Sequence, residues 1–363
     1  MKTGILTFHQ ADNYGAVLQA YALQSAIEQI GNPVEIIDYK QSAIEKTYRI
    51  IKFNKSSKIN FLKSSAANFW NYNSRVKKKK LFNNFRNDFL NISEKKFNSS
   101  NREMNYDTYI VGSDQVWNEE IIKNDKTFFL DFVNGNEKKI AYAASVGKDN
   151  LTSKEIKNLV SNISGFNFLS VREDDLVSNL NSRCNNTITH VLDPTLIADK
   201  VIWDKLPNFK RYENKKYLLI FRMVGDERVL DIAEAVAKRL DLDVYFISNK
   251  KLPIRKGFKN LRNVGPEEFI NLHKNASFIV TNSFHGTAFS ILFQKNFLTV
   301  PHKTRGSRMK SLLNLLKLEN RIVENPNKIN ETFILDIDYK VTTKILEIEK
   351  EKSLKYLKSA LDY

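Results

Sequence analysis

Short β-branched runs recur along this chain, each followed by a stretch with helical spacing, and the alternation restarts once after Asp193-Pro194-Thr195. Strands followed at once by helices cannot pair as hairpins, so the pattern confines the chain to the α/β class, with a mostly parallel sheet covered on both faces. The first half supplies TGILTF, VEIIDY, DTYIVG, KIAYAAS, FLSVRE and ITHVLD as strands, and the second KYLLIF, DVYFIS, NVG, SFIVTNS and NFLTVP. Helices are expected over about 16–30 and 153–163, from near Asp226, from Pro266 and after His285. A last Lys/Glu-rich helix over about 341–361 is placed to pack back across a domain junction. At 363 residues the chain exceeds what one hydrophobic core usually serves. The restart therefore divides it into two Rossmann-like domains, 1–197 and 198–363.

Composition removes several function classes. No apolar run approaches the roughly 18 residues of a membrane span, and the first residues lead into a strand pattern without the apolar stretch of a signal peptide, so a cytoplasmic location is expected. Cys184, the single cysteine, has no intramolecular disulfide partner. The net charge of +16 is concentrated: residues 46–102 hold 15 Lys/Arg against Asp88 and Glu94, which is +13 of the total. The densest part, from Arg75 through Lys77-Lys78-Lys79-Lys80, continues into Phe85 and Phe89 at helical spacing. It reads as a basic helical hairpin inserted at about 41–104, suited to anionic phospholipid or a polyanionic substrate, or else as a solvated helical face. No helix-turn-helix, RNP or zinc-finger pattern accompanies it, which argues against nucleic acid.

In open α/β sheets ligands bind beyond the carboxyl ends of the strands, and polar clusters stand at several of these positions. Thr281-Asn282-Ser283-Phe284-His285-Gly286-Thr287 places an imidazole between a strand and a helix start, where first-turn N–H groups with Thr281, Ser283 and Thr287 would hold an anion; alternatively Asn282 or Ser283 only caps the helix. His9 through Ala16 forms a polar loop entering a helix at Gly15, without the glycine spacing of a dinucleotide fingerprint or P-loop. Gly112 to Asn118 sets Trp117 beside Asp114 and Gln115, either a sugar-ring platform or a core tryptophan with a polar turn. Arg172 ends a strand and needs an anion, which is a ligand or one of Glu173, Asp174 and Asp175. The loop Pro301 to Arg308 carries His302, Lys303, Arg305 and Arg308, suited to a phosphate or carboxylate. His190 and His273 read as structural. No HExxH, paired-His or carboxylate cluster points to a metal.

Taken in order, TFHQADNYGAVLQAYAL, VGSDQVWN, AYAASVG, SVRE, VLDPTLI, VTNSFHGTAFSILF and RMKSLLNLLKLENRI resemble the polysaccharide pyruvyl transferases, over most of the chain. The resemblance implies two Rossmann-like domains in a GT-B-like arrangement with the site in the cleft between them. It also implies transfer of the enolpyruvyl carbons of phosphoenolpyruvate (PEP) to two hydroxyls of a sugar, giving a pyruvate ketal and phosphate in bacterial exopolysaccharide and cell-envelope biosynthesis. By that resemblance His285 is the acid, Arg172 binds the PEP carboxylate or phosphate, and Lys303 is favoured over Arg305 and Arg308 as the further donor contact. Asn13, Tyr14, Asp114, Gln115 and Trp117 fall on the first-domain side of the cleft, where an acceptor sugar would lie, and Gly15, Ser113, Ser145, Asn282, Ser283, Gly286 and Thr287 are further substrate-binding candidates. PEP is the donor substrate, and neither a metal nor a redox cofactor is expected. The basic segment would steer the enzyme to a lipid-pyrophosphate-linked acceptor at the inner membrane face. Two other readings share these features: a GT-B-like glycosyltransferase using a nucleotide sugar, and a non-catalytic glycan- or anion-binding protein.

Overall fold

The computed structural model describes residues 2–50, 58–98, 104–184, 186–223, 225–248, 254–302, 306–326, 329 and 331–362, with backbone alone over 58–70 and at 331. In chain order the elements are β1 (Thr3–Leu6), α1 (Tyr14–Gln29), β2 (Val34–Tyr39), α2 (Ser42–Thr47), α3 (Lys58–Phe89), β3 (Ile92–Phe97), β4 (Thr108–Asp114), α4 (Glu119–Ile122), β5 (Lys138–Ala144), α5 (Ser153–Ile163), β6 (Phe168–Val171), α6 (Asp174–Asn181), β7 (Ile188–His190) and α7 (Pro194–Ile197). The second half continues with α8 (Val201–Asp204), β8 (Tyr217–Phe221), α9 (Glu227–Leu240), β9 (Asp243–Ile247), β10 (Phe258–Leu261), α10 (Pro266–Asn275), β11 (Phe278–Thr281), α11 (Phe284–Leu292), β12 (Asn296–Thr299), α12 (Ser307–Leu315) and α13 (Tyr339–Asp362).

Among the described residues the strands form two parallel sheets, ordered β3-β2-β1-β4-β5-β6-β7 and β10-β9-β8-β11-β12. Central strands are buried along most of their length, with apolar centres such as Ile110-Val111 and Ile140-Ala141, because helices cover both faces. Two edge strands depart from the sequence reading. The segment Ile92–Phe97 is β3, paired to β2 and carrying exposed Glu94, Lys95 and Lys96. Charges on an edge strand block pairing with another chain, and here they hide the strand inside a basic run. In the second sheet the edge is Phe258–Leu261 rather than Asn263-Val264-Gly265, which turns into α10 with Asn263 at φ 57°. The inserted segment is consequently the short α2, the 32-residue α3 and then a strand, instead of a helical hairpin alone.

Three elements tie the halves together. Helix α1 is buried along nearly its whole length, and its Tyr14 hydroxyl donates to the Val264 carbonyl at 2.9 Å while its ring stacks on Phe269 at 4.4 Å. One apolar cluster thus runs from Ile5 and Val17 through Tyr14 to Tyr217, Leu219 and Phe269. Helix α3 buries Phe82 and Phe85 in that cluster, holds Asp12 through Arg86 at 2.8 Å and meets Asn263 through Ser74. Helix α13 begins on the second unit, where Tyr339 donates to the Lys295 carbonyl at 2.6 Å. It ends on the first, where Tyr356 donates to the Ala141 carbonyl at 3.1 Å and Lys138 Nζ to the Leu361 carbonyl at 2.8 Å.

Candidate active site

In each sheet the strand order reverses once, between β1 and β4 in the first and between β8 and β11 in the second, and ligands of such sheets sit at these reversals. The loops leaving these four strands meet in one cleft of about 150 Å³. Asn13, Asp114 and Gln115 line it from the first half, and Met223, Asn282, Ser283, Phe284, His285, His302 and Arg308 from the second.

His285 is the second residue of α11, and the turn before it is fixed locally. The Ser283 hydroxyl accepts the Gly286 N–H at 3.4 Å as the helix cap, and Thr281 Oγ1 accepts the Ser283 N–H at 3.0 Å while donating to the Phe221 carbonyl at 2.7 Å. Thr287 donates to the Ser283 carbonyl and meets Thr299 at 2.9 Å, fully buried. Thr281 and Thr287 therefore build the turn and do not face a ligand, contrary to the sequence reading. Gly286 likewise serves packing, since a Cβ there would strike Thr281. Asn282 fixes its loop to the second sheet by accepting the Met223 N–H at 2.9 Å. Nε2 of His285 lies 3.7 Å from Asp193 Oδ2, and a Cβ at Gly15 would fall on the imidazole, so residue 15 abuts the histidine.

Asp193, which sequence reasoning passed over, is the hub. It caps α7, accepting the Thr195 N–H at 3.0 Å and hydroxyl at 2.7 Å on Oδ1. Its Oδ2 meets Arg172 NH1 at 2.6 Å and the Ser113 hydroxyl at 3.3 Å. Burial opposes ionisation of this carboxyl, but His285, Arg172 and Thr195 outweigh it and hold it well below the usual carboxylate range. Arg172 is sealed by Asp193, the cap of α7, and by Asp114 at the end of β4 at 3.4 Å, so its ion-pair partners are not Asp174 or Asp175, and Glu173 adds only to the surrounding field. Despite burial, these carboxylates push the guanidinium further up. Glu173 turns instead to the Ser145 hydroxyl and lies 4.0 Å from Arg308 Nε; burial pushes it up, toward the neutral acid. Arg308, on the first turn of α12, is pulled down by burial and by Arg172. The two guanidiniums lie over the Phe284 ring, at 4.8 Å for Arg172 and 5.9 Å for Arg308.

Two expected acceptor residues stand elsewhere. Tyr14 is core between the halves, and Trp117 is a buried tryptophan whose indole N–H donates to the Phe128 carbonyl at 3.1 Å. Ser113 and Ser145 are fully buried and bind protein groups. Gln115 accepts from Asn118 at 2.8 Å and keeps an edge on the cleft. Lys303 and Arg305 lie outside the described residues. His190 donates from Nε2 to the Arg172 carbonyl, 3.1 Å away, and His273 is buried. Asp149, also unnoticed in the sequence, accepts the Gly306 and Ser307 N–H groups at 3.0 and 3.1 Å and so carries the first half to the start of α12, beside Arg308.

Residues 13–304 match the family model described as polysaccharide pyruvyl transferase. Among solved structures, UDP-GlcNAc 2-epimerase of Neisseria meningitidis bound to UDP-GlcNAc is similar over 99% of this chain and 99% of its own, at 12% identity and a TM-score of 0.53. UDP-GlcNAc 2-epimerase of Methanocaldococcus jannaschii in complex with UDP-GlcNAc and UDP covers 96% and 99%, at 16% identity and 0.51. S. aureus MnaA with UDP covers 100% and 97%, at 13% identity and 0.50. At these identities the likeness is one of fold, the two-unit GT-B arrangement. No curated protein matches the chain.

Proposed function

The chain belongs to the polysaccharide pyruvyl transferase family, and on that premise we propose that it moves the enolpyruvyl carbons of PEP onto two hydroxyls of a saccharide, forming a pyruvate ketal and releasing phosphate. The observation that carries this reading is the meeting of His285, Arg172 and Arg308 around Phe284 at a cleft where both strand-order reversals converge. Arg308 lines the cleft and, among the described residues, its nearest carboxylate is at 4.0 Å, so its guanidinium fork is open to the donor's carboxylate or phosphate. Arg172, sealed by Asp193 and Asp114, supplies positive field behind the same ring.

The reaction then follows from proton positions. His285 gives a proton to the methylene carbon, whose π pair forms the C–H bond and leaves the adjacent carbon electron-poor. A saccharide hydroxyl attacks that carbon, and Asp114, on the cleft wall, takes its proton and returns it to His285. Phosphate departs with the C–O pair, the second hydroxyl closes the ketal, and its proton leaves with the phosphate. The carbon skeleton keeps its own electrons throughout, so the sequence of steps calls for no redox cofactor.

Isothermal titration tests the donor. PEP should bind saturably, and Arg308→Ala should weaken it about tenfold or more, the usual cost of losing a charge-assisted pair. Because the fold relatives bind UDP or UDP-GlcNAc, UDP is the comparator, and binding of UDP with none of PEP would reassign the site to a nucleotide sugar. His285→Asn should keep PEP binding and lose about 100-fold or more of phosphate release over a panel of oligosaccharides.

The acceptor is, in this reading, attached to a lipid pyrophosphate. Lys77 and Lys80 are exposed on α3, and no helix among the described residues is long and apolar enough to cross a membrane. Peripheral contact worth about 1 kcal/mol per lysine at an anionic surface would serve such an acceptor. Vesicle sedimentation with no preference for anionic over neutral lipid would remove this element.

A further inference from the structure

We infer that Asp193 is a positioning residue that grips His285 through Nε2, so that Nδ1 is the nitrogen that delivers the proton, with Gly15 keeping that nitrogen bare. The inference rests on the pyruvyl-transfer reading for its chemistry and on geometry alone for its placement.

An imidazole has two nitrogens, and only the one reachable from the cleft can meet a donor. Nε2 is sealed from solvent and, among the described residues, makes no hydrogen bond; the group nearest in charge is Asp193 Oδ2 at 3.7 Å. His285 nevertheless lines the cleft, and the ring nitrogen left for a donor is Nδ1, which lies beside the bare Cα of Gly15. Asp193 cannot swing away. Thr195 holds one oxygen at 2.7 and 3.0 Å, and Arg172 holds the other at 2.6 Å. A carboxylate fixed beside one ring nitrogen selects the tautomer that carries hydrogen there, which leaves the other nitrogen bare in the neutral ring.

The opposite edge of the ring supplies an independent constraint. A Cβ built on Gly15 would collide with Nδ1, Cγ and Cε1 of His285. Any side chain at position 15 would thus cover the nitrogen that Asp193 leaves open. In the transfer step the proton on Nδ1 goes to the methylene carbon of PEP, whose π pair forms the new C–H bond. The ring becomes neutral with its Nε2–H still directed at Asp193, and the attacking hydroxyl's proton, passed through Asp114, restores Nδ1–H.

Nitrogen-15 NMR of histidine-labelled protein reads the tautomer directly, with no substrate present. At alkaline pH the neutral His285 ring of the wild type should carry its proton on Nε2. Asp193→Asn, which retains an oxygen for the α7 cap, should lose or reverse that preference, and kcat should fall about tenfold or more with little change in KM for PEP. Gly15→Ala leaves Asp193 intact. It should keep the Nε2–H tautomer and PEP binding yet lose about tenfold or more in kcat, so the idea stays testable if Asp193→Asn does not fold. A wild-type ring protonated on Nδ1, or an Asp193→Asn tautomer identical to wild type, overturns the assignment. Absence of PEP binding in the wild type would overturn the reaction and leave the tautomer result standing.

Discussion

Position 308 decides how an anion is recognised. Arg308 presents a planar fork over Phe284, and among the described residues no carboxylate comes nearer its guanidinium than Glu173 at 4.0 Å, itself pushed toward neutrality. A lysine would keep the charge but lose the two-pronged geometry, since an ammonium on a flexible stem approaches carboxylate or phosphate as a point charge. Arg308→Lys is expected to weaken PEP binding by about 1–2 kcal/mol, a roughly 5- to 30-fold rise in Kd. Titration calorimetry measures this, and unchanged affinity would move the donor contact to another cation.

Helix α10 carries a buried histidine whose protonation is linked to folding. Burial lowers His273 to about 4, and the bond of its Nδ1 to the Phe269 carbonyl at 2.8 Å only partly opposes this. Because the folded value lies below the ordinary 6.5, the unfolded chain takes up a proton first as pH falls. The stability held through the neutral ring is therefore complete above about pH 6.5 and is lost progressively toward pH 4, by roughly 3 kcal/mol in all. His273→Leu should flatten that part of the profile in urea unfolding followed from pH 7 to 4; an unaltered slope would exclude His273 as its source. Legibility in the sequence also divides at this scale. Central strands and α5, whose bounds coincide with the expected 153–163, were readable because burial on both faces or a clear amphipathic stripe leaves a local pattern. Edge strands β3 and β10 were not, because their outer residues answer to water and not to the core. His285 and Asn13, which line the cleft, were picked out from loops at strand ends, whereas Tyr14 and Trp117 were misplaced because an aromatic in a polar loop looks alike whether it faces a sugar or the core. Asp193 left no local signal beyond a helix cap: its role exists only once Ser113, Arg172 and His285 arrive from three other segments.

The whole molecule is held in one arrangement by elements that belong to both halves, and this bears on the cleft directly. Helix α13 leaves the second unit and lays its last turns on the first, with Leu357, Ala360 and Leu361 buried there. In passing, Ser353 Oγ accepts the Leu192 N–H at 3.0 Å while donating to the Glu349 carbonyl at 2.7 Å. Leu192 is the residue before Asp193, so the terminal helix fixes the backbone from which the hub carboxylate projects. Ser353→Ala would strand a buried N–H and should cost about 1–3 kcal/mol. A remote packing defect of that size would lower the unfolding midpoint alone. Loss of the strap at Leu192 should in addition let Asp193 drift from Arg172 and His285, lowering kcat several-fold under conditions where the variant is still fully folded. Urea unfolding and phosphate-release kinetics on the same preparation separate the two cases: a lowered midpoint with wild-type kcat would make α13 a stabilising strap only, and a fall in both would make it part of the machinery that aims the acid.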